Sequence, residues 1–254
     1  MLSQEEYSDY CLRFKRVWQY LYDTSFEVGS VIDEICSLRN YDLEGNMPEM
    51  LDTIGFVYSN PEQFNSDVIK GFDDGSLGLF SEEGKFILKD RFIFPVKDML
   101  GNVIALIGWL PDEKKYITSS SKLFSKKSLF FGMEQLKKTG IGKPYFLVEG
   151  IFDCISVRSL GFNCVALMGI TVTQYTEVLF SLFKRLVAIP DNDKEGRKVV
   201  QEDKWKIPSN SSYFRWNGRA KDIDLLCSRY EMTDTLSDLL QRKERIINSE
   251  VRYD

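Results

Sequence analysis

The sequence predicts an α/β protein in two parts. A mixed α+β N-terminal subdomain spans residues 1–140, a parallel α/β subdomain spans 141–230, and a terminal helix covers 231–254. Three observations carry this. The first forty residues have apolar positions at helical spacing, residues 85–110 hold β-branched and aromatic runs split by turn residues, and from residue 144 onward short apolar runs alternate with amphipathic segments.

Tyr7, Tyr10, Phe14, Val17, Trp18 and Leu21 recur every three or four residues, so residues 4–39 read as helical, with Val28, Val31, Ile32 and Ile35 marking a second helix. The aromatics Trp18, Tyr20 and Tyr22 are expected in the core rather than stacked on bases. Residues 40–84, rich in Gly, Asp, Asn and Ser, read as short helices joined by loops. Phe86–Leu88, Phe92–Val96 and Val103–Ile107 read as strands of an antiparallel meander, with turn chemistry at Lys97–Asn102.

In the second half, Tyr145–Val148, Cys164–Met168, Leu186–Ile189 and Tyr213–Trp216 read as buried strands. Between and after them, Phe152–Leu160, Thr173–Phe183, Gly196–Lys206 and Ile223–Tyr230 read as helices, with Gly161 and Pro208 as stops. Strands alternating with helices in this way imply a parallel sheet. Leu236, Leu239, Leu240, Ile246 and Ile247 suggest one last helix that packs on its own domain.

Composition narrows the chemistry. With 254 residues the chain can bury a sizeable core. It has no histidine, which excludes histidine-based triads, proton shuttles and His-bearing zinc sites. Its five cysteines are scattered, with no CxxC pair, so no zinc is expected, and Cys154 and Cys164 read as buried packing residues. No apolar run reaches membrane-spanning length, and Met1–Glu6 is too acidic for a secretion signal. What remains abundant is carboxylate, 38 Asp and Glu against 33 Lys and Arg.

In a parallel sheet ligands bind beyond the carboxyl ends of the strands. Acids stand there three times: Glu149 and Asp153 after the first strand, Asp191 and Asp193 after the third, Asp222 and Asp224 after the fourth. One such pair is commonly an N-cap or a turn. Three pairs on three strands suggest convergence on a cation, and Mg²⁺, hard and oxygen-seeking, is the natural occupant. Two such ions would stabilise the attacking and leaving oxygens of a phosphoryl transfer. Gly150 and Gly196 allow close backbone approach at helix starts. Between Lys114 and Lys143, eight lysines face one acid, with Tyr116, Phe124, Phe130 and Phe131 interleaved, in a chain of net charge −5. That strip suits a nucleic-acid backbone and triphosphates.

The patterns Glu149-Gly150-x-x-Asp153, Asp191-x-Asp193-x-x-Gly196-Arg197 and Lys221-Asp222-x-Asp224 resemble the TOPRIM domain shared by bacterial-type primases, topoisomerases and several nucleases. Gly169 followed by Thr171 resembles the primase pattern after the second strand. Upstream, Arg91–Asp98, Gly101–Ile104, Gly108, Lys115–Ser120 and Phe124–Gly132 resemble the segment preceding TOPRIM in DnaG-type primases, so the likeness covers about residues 78–228.

The resemblance implies a mixed α+β subdomain followed by a TOPRIM-type parallel α/β subdomain. It implies a DNA primase catalytic core making short RNA primers on single-stranded DNA from NTPs, with Mg²⁺, or Mn²⁺ in its place, and no zinc. Glu149, Asp191 and Asp193 would be catalytic, and with Asp153, Asp222 and Asp224 they would form the acidic ring that binds the metal. Arg91, Lys115, Lys126, Lys127, Gly150, Gly169, Arg197 and Lys221 would bind nucleotide or DNA. A replicative helicase and a separate zinc-bearing subunit would be partners, in the cytoplasm, that of a host cell for a phage-encoded core. The other readings are a TOPRIM nuclease and a non-catalytic primase-derived binding protein.

Overall fold

The computed structural model describes residues 3–25, 28–39, 41, 46–59, 64–111, 115–119, 130–140, 142–168, 172 and 174–253. They form two compact units, Met1–Lys126 and Lys127–Asp254.

The first unit opens with helix α1, Gln4–Asp23. Its start is a capping box: the Glu6 N–H donates to Ser3 Oγ at 3.2 Å and the Ser3 N–H donates to Glu6 Oε2 at 2.7 Å. Tyr10, Phe14, Val17 and Leu21 are buried as their spacing predicts. Trp18 and Tyr20 are only half-buried and Tyr22 is exposed, so the helix's aromatics are not all core. Helices α2 (Val28–Arg39), α3 (Met47–Ile54) and α4 (Ser66–Phe72) follow.

The antiparallel sheet has the order β1 (Val57–Tyr58), β2 (Phe92–Lys97), β3 (Val103–Leu110), β4 (Lys115–Thr118). Of the three expected strands, Phe92–Val96 and Val103–Ile107 are β2 and β3. Phe86–Leu88 does not form a strand; among the described residues Phe86 bridges only Phe80. Pro95 is tolerated within the sheet because β1 pairs only with Phe92 and Ile93 and ends before it would need the missing N–H. The tight turn after β2 is held by Asp98, whose Oδ1 accepts from the N–H groups of Leu100 and Asn102, each at 2.8 Å.

The second unit holds α5 (Gln135–Thr139), β5 (Pro144–Val148), α6 (Ile151–Ser159), β6 (Cys164–Ala166), α7 (Gln174–Phe180), β7 (Arg185–Ile189), α8 (Lys194–Gln201), β8 (Ser212–Gly218), α9 (Ile223–Arg229), α10 (Thr233–Leu239) and β9 (Ile246–Tyr253). The strands form one parallel sheet in the order β6-β5-β7-β8-β9. Residues 130–140 belong with this unit because Phe131 exchanges backbone hydrogen bonds with Ala166 at 3.0 and 2.9 Å. Tyr145, Leu147, Val165, Leu186, Ala188 and Trp205 fill the core beside the sheet, and Cys154 and Cys164 are buried as expected.

The single terminal helix expected over 231–254 is instead a helix and a strand. Leu236 and Leu239 are buried at helical spacing. From Ile246 the burial alternates: Ile246 is exposed, whereas Ile247 and Tyr253, six residues apart and so on one face of a strand, are buried. Two arginines anchor the crossover. Arg185 donates to the carbonyls of Leu239, Leu240 and Arg242 at the end of α10. Arg245 donates to the carbonyls of Pro208 and Ser211 and pairs with Asp203 at 2.8 Å. Such tertiary anchors are invisible to local periodicity.

Candidate active site

The order β6-β5-β7-β8-β9 has its switch point between β5 and β7: the chain crosses from β5 to β6 on one side and returns to β7 on the other. Neighbouring connections diverge there and leave a crevice beyond the strand ends. Glu149 follows β5, and Asp191 and Asp193 follow β7, so both acidic segments stand at the switch point.

Glu149 Oε1 accepts a hydrogen bond from the Asp191 N–H at 3.1 Å. Burial, reinforced by the charges of Asp191 and Asp193, raises the Glu149 carboxyl from 4.5 to about 7. Burial also raises Asp191, with Lys221 acting against the rise. Lys221 Nζ lies 3.3 Å from Asp191 Oδ2. Burial works to lower the Lys221 ammonium, but Asp191, Asp222 and Asp193 outweigh it and the net shift is upward.

Asp193 caps α8, accepting from the N–H groups of Glu195 and Gly196 at 2.9 Å each. Gly196 answers to a hard constraint: a Cβ there would run into the carbonyl oxygen of Asp191. Asp222 caps α9 by accepting from the Leu225 N–H at 2.9 Å.

Asp153 and Asp224 are more deeply buried. Asp153 accepts from the Gly150 N–H at 3.1 Å with one oxygen and from the Asp224 N–H at 3.2 Å with the other. It therefore pins the start of α6 to the start of α9. Burial first, then the charges of Asp222, Asp191 and Asp224, raises its carboxyl well above the usual range. Asp224 is hydrogen-bonded to Ser156 Oγ.

One residue passed over in the sequence is central to the geometry. Asn192, the middle of Asp191-x-Asp193, donates from its side chain to the carbonyls of Gly218 and Ala220 at 3.2 and 3.3 Å, and its N–H donates to the Lys221 carbonyl at 2.6 Å. It ties the loop after β7 to the loop after β8. An Asn between two acids in the loop after a strand was the available signal.

The structure thus brings together Glu149, Asp153, Asp191, Asp193, Asp222, Asp224 and Lys221, with Gly150 at the start of α6 and Arg197 exposed near the start of α8. No three acids among the described residues are close enough to clasp an ion as they stand. The donor chemistry nonetheless fits a hard divalent cation: partly buried carboxylate oxygens whose charges oppose one another. Lys126, Lys127 and Gly169 lie outside the described residues, as does the side chain of Lys115, whose backbone is in β4. Arg91 belongs to the first unit and lies over Gly108, where a Cβ would come within 2.8 Å of Arg91 Cδ.

Residues 146–226 match the family model described as Toprim-like. Across most of the chain the fold is shared with solved primases. A DnaG primase catalytic domain bound to ssDNA superposes with a TM-score of 0.72 at 17% identity, over 94% of this chain and 80% of that one. The chain has the fold of the DnaG-type primase catalytic core. An Aquifex aeolicus primase, solved with its zinc-binding and RNA polymerase domains, gives 0.70 at 23% identity over 94% of this chain and 62% of that one. Among sequence relatives, the DNA primase of Clostridium acetobutylicum is 33% identical over 52% of this chain and 24% of its own length. That of Pasteurella multocida is 30% identical over 69% of this chain and 32% of its own length. The chain therefore spans about a quarter to a third of these relatives. The described residues contain no helix long and apolar enough to cross a membrane.

Proposed function

We propose that this chain is a DNA primase catalytic core that synthesises short RNA primers on single-stranded DNA. The observation that carries the reading is the convergence of Glu149, Asp191 and Asp193 at the switch point of a Toprim-like sheet, in a fold shared with a primase domain bound to ssDNA. The reaction is attack of a 3′-hydroxyl on the α-phosphate of an NTP, with pyrophosphate leaving.

Glu149, Asp191 and Asp193, with Asp222 at the rim, would hold Mg²⁺, or Mn²⁺ in its place, and the ion would supply charge neutralisation at the reacting phosphate. The chain's own residues do the positioning. Asn192 fixes the loop that carries Asp191 and Asp193. Asp153 and Asp224 lock the starts of α6 and α9 beneath the acids. Gly150 presents backbone at a helix start, where phosphate oxygens are favoured. Lys221 keeps a positive charge beside Asp191 for an incoming triphosphate. Arg197, Arg91, Lys115, Lys126, Lys127 and Gly169 are assigned to nucleotide and template on the strength of the sequence resemblance. A replicative helicase and a zinc-bearing protein complete the proposed system in the cytoplasm.

The test is primer synthesis on single-stranded DNA with labelled NTPs and Mg²⁺, wild type beside Asp191→Ala/Asp193→Ala. Template-dependent short RNA from wild type alone is expected, with at least a thousandfold loss in the variant. Metal-dependent loss of the template without RNA would overturn the reading in favour of a nuclease.

A further inference from the structure

The parallel sheet has a second end, and that end carries the opposite charge. β5 and β7 start side by side, with Pro144 paired to Arg185, at the amino ends of the strands and so away from the acids. A cavity of about 500 Å³ opens there, between these strand starts and the segment that leaves α10. Its lining includes Pro144, Lys184, Arg185, Leu240 and Lys243, and no acid among the described residues. That volume is typical of a site for a small ligand.

The cations of this cavity lack counter-charges. Lys184 and Lys243 are exposed, and neither side chain has an ion pair or a hydrogen bond among the described residues. Arg185 is half-buried and donates to the carbonyls of Leu239, Leu240 and Arg242 and to Ser212 Oγ. Those acceptors are neutral, so burial lowers the guanidinium with no carboxylate acting against it. The acids nearest in sequence to Lys243 serve Arg242 instead: Asp238 bonds it at 2.7 Å and Glu244 adds to the rise of its guanidinium.

Lysines on an open surface are ordinarily solvated and need no ligand. Here they share one cavity with a half-buried arginine, and the backbone that carries each is held. The Asn210 side chain donates to the Lys184 carbonyl, and Arg185 donates to the carbonyl of Arg242, next to Lys243. Three positive charges therefore gather round one concavity, in a chain of net charge −5. Cations in a row suit a long strand, whereas cations round a hollow suit a compact polyanion. Lysine meets phosphate as a point charge and demands no set geometry of it.

We propose that this cavity binds a compact polyphosphate, either free pyrophosphate or the phosphate chain of a nucleotide, on Lys184, Arg185 and Lys243. The assignment does not rest on the primase reading. A ligand bound there ties the start of β7 to the crossover from α10 to β9 and so adds to the bonds that Arg185 already makes.

The experiment is isothermal titration calorimetry of the full chain with pyrophosphate and with ATP, in EDTA. Without a divalent cation the crowded carboxylates at the other end of the sheet repel phosphate, so the titration reports this cavity. Wild type should bind one pyrophosphate per chain with a Kd below about 1 mM. Lys184→Gln/Lys243→Gln should bind it roughly tenfold more weakly or worse at about 0.1 M salt. Lys70→Gln/Lys85→Gln, which removes the same charge from exposed ion pairs of the first unit, should match wild type. ATP binding no more tightly than pyrophosphate assigns the site to the free ion, and tighter ATP assigns it to a nucleotide. Unfolding gives a second readout: at about a hundredfold excess over Kd, pyrophosphate in EDTA should raise the Tm of wild type by several degrees and that of the Lys184/Lys243 variant by clearly less. No binding by wild type at about 10 mM overturns the proposal, as does an unchanged affinity in the Lys184/Lys243 variant or an equal loss in both variants. An oligo-dT held more tightly than ATP and released by the Lys184 and Lys243 substitutions would overturn it in favour of a nucleic-acid strand. A chain that binds pyrophosphate as expected and makes no primers would leave this proposal standing and refute the primase reading instead.

Discussion

Glu149→Gln should stabilise the metal-free protein and abolish its activity, a combination that separates a functional acid from a structural one. The Glu149 carboxyl is raised from 4.5 to about 7, by burial and then by Asp191. Below about pH 4.5 the group is protonated in both folded and unfolded chains and costs nothing. As the pH rises through 4.5 the unfolded chain releases its proton while the folded one retains it, so stability falls until about pH 7 and the full cost persists above. The shift corresponds to on the order of 3 kcal/mol. Glutamine keeps an oxygen for the Asp191 N–H but carries no charge, so at pH 8 the variant should gain up to that amount, or roughly 10 °C in Tm. Urea unfolding of both proteins from pH 4 to 8 measures it: the difference should be near zero at pH 4 and grow to a plateau by about pH 7.5. Adding Mg²⁺ should stabilise wild type more than the variant, because a ligand stabilises only what it binds. A variant less stable than wild type at pH 8, or a difference independent of pH, would refute the claim that Glu149 is held at an electrostatic cost.

Three further outcomes follow from packing. Gly196→Ala drives a Cβ into the Asp191 carbonyl and should cost about 1–3 kcal/mol in urea unfolding while displacing the loop enough to abolish primer synthesis. Glu134→Ala leaves Arg158, whose guanidinium is almost wholly buried and bonded to Glu134 at 2.8 Å, without its counter-charge. It should cost about 3–5 kcal/mol, and Glu134→Leu/Arg158→Met should restore much of it. Arg185→Met releases the carbonyls at the end of α10 and should speed amide hydrogen exchange in β9 ahead of the other strands of the sheet.

The parallel half was legible because its signals are local. Three of the four strands read there are continuous apolar runs, the fourth is broken only by Arg215, and the acids sit in the loops where such sheets place ligands. The terminal strand was not, because what defines β9 is its pairing with β8 and the two arginine anchors, whereas Ile246 and Ile247 in isolation extend the leucine stripe of α10. The same holds for Phe86–Leu88, whose composition suits a strand but which finds one bridge partner, Phe80, among the described residues. At the site, acid identities could be read directly, but their division of labour could not. Asp153 and Asp222 look alike in sequence, yet Asp153 spends both oxygens on backbone N–H groups from two loops and Asp222 spends one on capping α9.

That division explains how the site can be both strained and stable. Carboxylates crowded at a switch point would drive their loops apart if each were held only by its own chain segment. Here the loops are cross-tied by neutral or fully satisfied bonds: Asn192 joins the β7 and β8 loops, Asp153 joins α6 to α9, and the Glu149 carboxyl accepts from the backbone of Asp191 itself. The repulsion is consequently confined to side chains, where it adds to the burial that already raises proton affinity instead of opening the crevice. Relief must then come from outside the fold, by a proton at low pH or by a divalent cation at neutral pH, and only the second leaves the oxygens available to organise phosphate chemistry.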